Sequence, residues 1–146
     1  MKIVIGNDHT GYDLKMKISE HLEKNGYTVV DVGSHDTDSV SYVDYGHLAA
    51  EEILTQSAEL GIIICGTGIG ISIAANKHRG IRAALCTNCY MAETARKHNN
   101  ANMLALGARV LAAPYALTIV DTFLKFGFEG GRHKTRVDSL TDIENL

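Results

Sequence analysis

The sequence predicts an α/β protein: a five-stranded parallel sheet sandwiched between two helical layers. Two observations predict it. Short apolar or β-branched runs recur five times along the 146 residues, and the segments between them carry apolar residues at helical spacing. Strand and helix alternate throughout, with no block of consecutive strands, which is the pattern of a parallel sheet covered on both faces by right-handed crossovers. No internal repeat, linker or low-complexity segment interrupts the chain, and its length suits one core, so residues 1–146 are read as one domain.

Lys2 to Ile5 is the first strand, and Gly6 to Gly11 a polar turn. Leu14, Ile18, His21 and Leu22 follow at the spacing of an amphipathic helix, which Gly26 stops. Tyr27 to Val32 is β-branched and reads as the second strand. Residues 33–42, GSHDTDSVSY, are turn formers throughout. Tyr45, Leu48, Ala49 and Ile53 place a helix over 45–56. Leu60 to Cys65 is the third strand, followed by a glycine loop and a helix. That helix closes on Lys77, His78, Arg79 and Gly80, a basic last turn with a glycine stop. Ile81 to Cys86 is the fourth strand, 89–98 a helix, and Asn102 to Leu106 the fifth strand. Leu117, Val120 and Leu124 set a helix over 114–126, and the tail is basic at first and ends in a short helix.

Composition excludes several classes. Hydrophobic residues make up 45% and charged residues 21%, a globular balance, and a net charge of −3 argues against coating nucleic acid. No apolar run approaches the roughly 18 residues of a membrane span, and the start MKIVIGNDH turns polar too soon for a secretory signal. Three cysteines make no disulfide framework, so a reducing cytoplasm is expected.

The chemistry centres on LGIIICGTGIGISIAANK, beginning at Leu60. A buried strand ends in Cys65, Gly66, Gly68 and Gly70 alternate after it, and a helix follows. Glycines let backbone approach a ligand, and the unpaired N–H groups of a helix start, with its dipole, make an anion cradle. A thiol beside such a loop is favoured as its thiolate and is a candidate base or nucleophile; a space-filling cysteine before a plain turn is the alternative. The dinucleotide fingerprint would need glycine where Ile71 stands, and a phosphate-binding Walker loop would need a Gly-Lys-Ser/Thr ending that is absent.

Other residues can join this site. Asp8 and His9 follow the first strand at the same sheet edge, although Asp8 equally suits a helix cap. His98 and Asn99 close RKHNN; His98 is a candidate general acid, or simply a cation at a helix end. Arg132 and Arg136, four apart in GRHKTR, can converge on a phosphate with Arg109, or form a solvated basic tail. Cys86 and Cys89 form a lone C-x-x-C, for which burial is favoured over redox or zinc chemistry.

Taken together and in order, GNDHTG at 6–11, CGTGIGISIAANK at 65–77, HNNANMLALGARV at 98–110 and GRHKTRVD at 131–138 resemble the type B ribose-5-phosphate isomerases, a superfamily that includes galactose-6-phosphate isomerase subunits. The resemblance runs over essentially the whole chain. It implies a Rossmann-like three-layer α/β/α sandwich and a sugar-phosphate aldose–ketose isomerase without metal or other cofactor. It also implies a homodimer or tetramer whose active sites are shared between subunits. By the same resemblance Cys65 is the base that moves a proton between carbons 2 and 1 of ribose 5-phosphate and ribulose 5-phosphate. The amides of Gly66, Thr67, Gly68, Ile69 and Gly70 hold the enediolate oxygen. His98 opens the furanose, Asp8 and Thr67 assist at the hydroxyls, Asn99 and Tyr42 touch the sugar, and His9, Arg109, Arg132 and Arg136 bind phosphate.

Two positions depart from the family pattern. Ser41-Tyr42-Val43 stands where Asp-Tyr-Pro is usual, which puts the shape of the second loop in question, and Ile71 stands where some relatives use a glutamate base. Allose 6-phosphate or another hexose phosphate is the alternative substrate. A non-catalytic sugar-phosphate binder and a Cys–His hydrolase are the readings from other classes.

Overall fold

The computed structural model describes residues 1–146. Five strands, β1 Lys2–Asn7, β2 Thr28–Asp31, β3 Leu60–Cys65, β4 Ala83–Leu85 and β5 Met103–Gly107, form one sheet in the order β2-β1-β3-β5-β4. Every pairing is parallel. Six helices alternate with or follow them: α1 Tyr12–Lys24, α2 Tyr42–Leu54, α3 Ile69–Asn76, α4 Cys89–Asn99, α5 Ala113–Lys125 and α6 Arg132–Glu144. The chain works outward from β1 to β2, then restarts at β3 on the other side. The order therefore reverses between β1 and β3, where an open α/β sheet presents its ligand crevice. No helix is long and apolar enough to cross a membrane.

Side-chain alternation along the central strand builds two cores. Ile62 and Ile64 point to one face and pack with Leu14, Ile18 and Leu22 of α1, Ala92 and Ala95 of α4, and Ile119 and Phe123 of α5. Ile63 and Cys65 point to the other, against Ala49 and Ala50 of α2 and Ile71 and Ala75 of α3. The two-residue period of β3 thus assigns the Cys65 sulfur to the α2–α3 face.

Boundaries moved where side chains cap the backbone. The second helix starts at Tyr42, not 45, because Ser41 takes extended backbone and its hydroxyl accepts the Val43 N–H at 3.2 Å. Proline at 43 has no N–H and could not make that bond, so Val43 is part of what lets Ser41 start the helix. The fourth strand is shorter than expected because side chains hold its entry: Asn102 Oδ1 accepts from Arg82 N at 2.8 Å and Asn76 Oδ1 from Ala83 N at 2.8 Å. The tail differs most. Its basic residues do not precede a short helix; they open a 13-residue one, α6, entered through Gly130 and Gly131 at φ +68° and +56°.

Lys15, 1% exposed on α1, pairs through Nζ with Asp31 Oδ2 at 3.1 Å and donates to the Ser34 carbonyl. Asp31 Oδ1 also accepts the Gly33 N–H at 3.0 Å, so this pair anchors the start of the second loop. Asp31→Ala strands a buried ammonium, with an expected loss of about 3 kcal/mol by urea unfolding. Lys15→Met removes the charge with its desolvation cost and should lose clearly less; the reverse ranking would overturn this account.

Candidate active site

The loop after β3 turns inside out because its glycines allow it. Gly68 caps α3 at φ +79°, and a Cβ there would lie 2.9 Å from the Leu106 carbonyl carbon, so both conformation and space require glycine. This turn swings the Gly68 N–H back onto Cys65, whose Sγ accepts it at 3.2 Å. An N–H aimed at sulfur is complementary to negative charge there. Thr67 Oγ1 accepts the Ile69 N–H at 3.2 Å. The N–H groups of Gly66, Thr67 and Gly70 donate to nothing within the chain, which leaves a set of amides at the head of α3 beside the sulfur.

Neighbouring strand ends bring further residues to this loop. The N–H of Asp8 donates to the Ile64 carbonyl at 3.2 Å, which fixes the first loop against the third. Asp8 Oδ1 accepts both the N–H and the hydroxyl of Thr10, at 3.0 and 2.5 Å, so it caps the short 3-10 turn His9–Gly11 and not α1, whose own cap is Gly11; Oδ2 has no partner in the chain. His9 Nδ1 accepts the Val40 N–H at 3.2 Å, which leaves the hydrogen of the neutral ring on Nε2 as an outward donor and ties the first loop to the second. The Tyr42 ring covers Gly70, where a Cβ would come within 2.7 Å of it. The Arg109 N–H donates to the Gly66 carbonyl at 2.9 Å, and its side chain runs along Gly66.

The remaining candidates lie elsewhere. His98, in the last turn of α4, stacks on His133 of α6 with ring centres 4.1 Å apart and planes 10° apart. With Asn99, Arg136, Tyr90 and Thr94 they line a cleft of about 300 Å³. Arg132 and Arg136 are one helical turn apart and exposed on α6. Within one chain, then, the expected residues form two groups: Asp8, His9, Tyr42, Cys65 to Gly70 and Arg109 at the sheet edge, and His98, Asn99, Arg132 and Arg136 on the α4–α6 side. Cys65 is 4% exposed and lines none of the chain's cavities.

A ribose/galactose isomerase family profile matches residues 3–140. The chain belongs to that family. It is 45% identical over 143 residues to ribose-5-phosphate isomerase B of Escherichia coli (strain K12), covering 98% of this chain and 96% of that protein. Among solved structures, ribose-5-phosphate isomerase B of Clostridium thermocellum matches with a TM-score of 0.98 at 56% identity, over 99% of this chain and 98% of that one. The Mycoplasma genitalium ribose-5-phosphate isomerase B with bound ribulose-5-phosphate matches with a TM-score of 0.94 at 44% identity, over 99% of this chain and 96% of that one. The three-layer α/β fold is the fold of these proteins, and the chain is an isomerase rather than a hydrolase or a passive binder.

Some residues of this isomerase were not anticipated. His133 stands out less in the sequence than its arginine neighbours. It is mostly buried, and with Val137 and Leu140 it makes an i, i+4, i+7 stripe that reading the tail as a helix would have exposed. The CTNC motif is a strand–helix junction: Asn88 Oδ1 caps α4 by accepting the Met91 N–H at 2.8 Å, and all three cysteines are free. Burial pushes the Cys86 thiol up to about 11, which suits packing and not redox exchange.

His133 has a consequence for stability. Burial first, then the positive charges of His98, Arg132 and Arg136, hold its imidazole below the ordinary value of 6.5, against an opposing pull from Glu129. The unfolded chain therefore takes up this proton at higher pH than the folded one. The group's contribution to stability is complete above 6.5 and is lost as pH falls from there through the folded value. Urea midpoints at about pH 7.5 and about pH 5.5 should drop less in His133→Gln than in the wild type; an equal drop would refute this.

Proposed function

We propose that this chain interconverts ribose 5-phosphate and ribulose 5-phosphate through an enediolate, with Cys65 as the base and the active site assembled between two copies of the chain. The Cys65 thiolate takes the proton from carbon 2 of the open-chain aldose. The carbon–hydrogen electrons form the carbon 1–carbon 2 double bond, and the carbonyl π electrons move onto oxygen 1. The amides of Gly66, Thr67 and Gly70 stabilise that developing charge. The thiol, whose hydrogen exchanges with solvent, then delivers a proton to carbon 1 while the carbon 2 hydroxyl loses its proton and oxygen 1 gains one, directly or through solvent, giving the ketose. Before this, His98 protonates the ring oxygen to open the furanose. Asp8, through its free oxygen, and Thr67 assist at the hydroxyls, and Asn99 and Tyr42 contact the sugar. His9, Arg109, Arg132 and Arg136 hold the phosphate and so orient the reacting carbons.

The observation that carries this reading is the 3.2 Å contact of the Gly68 N–H with the Cys65 sulfur, beside amides that have no acceptor of their own. The shared site is supported by the separation of the two groups and by their surroundings. Exposed Tyr42 and Ile69 stand at the cysteine loop, with exposed Val43 and Ile73 on the same two helices, and exposed Tyr90 and Leu140 line the histidine cleft, with exposed Met91 and Ile143 on the helices that form it. Apolar surface of that kind around each half-site fits a homodimer interface that closes one half over the other. Three unbridged cysteines suit the reducing cytoplasm.

Two measurements test the reading. Incubation in deuterium oxide should place solvent deuterium at carbon 1 of ribulose 5-phosphate made from ribose 5-phosphate, with a higher kcat/KM than on allose 6-phosphate; a preference for the six-carbon sugar would move the substrate assignment. His98→Asn should depress turnover of cyclic ribose 5-phosphate by roughly 10²-fold or more, as loss of a general acid does. It should spare an aldose phosphate that cannot cyclise. Equal losses on both would remove the ring-opening role.

A further inference from the structure

We propose a second site on this chain, remote from the proposed chemistry: a binding site for a divalent transition ion of borderline softness, Zn²⁺ foremost, held by His47, Glu51 and His78. His47 and Glu51 are one turn apart on α2 and present their side chains on one face of that helix. His78 reaches the same point from the turn after α3. One donor atom from each of the three lies within 4.8 Å of the other two.

The His78 tautomer favours a cation, and the ion takes the place of the proton that His47 Nδ1 donates to it. His78 Nδ1 lies 3.0 Å from the Ala75 carbonyl oxygen. A carbonyl only accepts, so Nδ1 carries the hydrogen and Nε2 presents its lone pair. This is the backbone orientation that fixes a metal-ligating histidine. That Nε2 faces His47 Nδ1 at 2.7 Å, with the rings stacked at 5.0 Å. Two nitrogens and a carboxylate match the two-histidine, one-carboxylate donor set of zinc sites that leave a fourth position to water. Hard Mg²⁺ and Ca²⁺ prefer all-oxygen sets and are disfavoured here. Ligands about 2.0–2.1 Å from one ion stand roughly 3.4 Å apart. Binding therefore needs only a small opening of the histidine pair and a closing of Glu51, and His47 and Glu51 are exposed and free to adjust.

The ion acts as a clip, not as a cofactor of the isomerisation. It ties the middle of α2 to the end of α3, and these are the helices that carry Tyr42 and the cysteine loop at their other ends.

The full-length protein, stripped with a chelator, is titrated with ZnCl₂ and separately with CoCl₂. The expected result is a single ion per chain and a cobalt spectrum of nitrogen and oxygen ligands without sulfur charge transfer. Tm should rise by roughly 5–10 °C at a hundredfold excess of free Zn²⁺ over Kd. His47→Ala should abolish binding. Glu51→Gln, a conservative change on an exposed side chain, should weaken it by roughly tenfold or more with the fold intact by circular dichroism. Affinity unchanged in both variants would leave the histidine pair as a simple hydrogen bond and overturn the site. A sulfur-to-cobalt band would place the ion on a cysteine and overturn it equally.

Discussion

Cys65→Ala is expected to lower kcat for ribose 5-phosphate by roughly 10²–10⁴-fold, the range a positioned base supplies, which is about 3–5 kcal/mol of barrier. KM should stay close to the wild-type value, because the proposed phosphate and hydroxyl contacts come from other side chains. The change is steric as well as chemical, so its fold cost has to be separable. The sulfur packs among Val4, Ile63 and Ile71, a core that alanine underfills without adding a polar group. Cys65→Ser keeps the shape and replaces the thiol with a hydroxyl of far higher pKa. It should be nearly as inactive as alanine while unfolding close to the wild-type urea midpoint. Turnover retained in both variants, with deuterium still entering carbon 1, would take the proton transfer away from this residue. Turnover lost together with substrate binding would make Cys65 a structural support of the loop. The free amides would still be present in either variant, so the residual rate measures what the oxyanion cradle contributes alone.

The parts of the fold that were legible are those set by local rules. A strand, an alternating-glycine loop and a helix can be read over 60–77 because each needs only nearby residues, and the alternation of Ile62, Ile63, Ile64 and Cys65 assigns the sulfur to a face once the strand is known. The amide cradle is legible for the same reason, being made of backbone. What was not legible depends on residues far apart in the chain. His133 gains its place from a ring stacked on His98, 35 positions earlier, and neither sequence stretch announces the other. Tyr42 reads as the end of a polar loop until Ser41 is seen capping a helix, and only then does its ring come to lie over Gly70. The basic cluster at 131–136 reads as a charged tail, yet one turn of helix separates Arg132 from Arg136 and aligns both on one side. Charge hid the helical period there, since Arg136 lines the cleft alongside His133, Val137 and Leu140.

Mixing Arg136→Ala chains with Cys65→Ala chains should restore activity that neither has alone. On the proposed shared-site homodimer, each variant alone lacks a needed group in both sites. Arg136 lies on α6 beside the His98 cleft, while Cys65 lies at the sheet edge on the other face of the same chain. If one copy's α4–α6 side closes over the partner's cysteine loop, a mixed dimer concentrates both lesions in one site and leaves its other site intact. Random exchange at equal amounts gives half mixed dimers with one good site each, so about one quarter of wild-type activity is expected. If Arg136 instead served the cysteine of its own chain, every site in the mixed dimer would carry one lesion and no activity would return. Exchange must be allowed to reach equilibrium, by dilution and reconcentration or by co-expression with two tags, because a slow interface would imitate failure. With mixed dimers isolated through both tags, a site count near one per dimer supports the shared arrangement. An inactive, fully exchanged mixed dimer would return both half-sites to a single chain. The closure of that chain would then have to bring the α4–α6 side around the edge of the sheet, a far larger movement than docking two preformed faces.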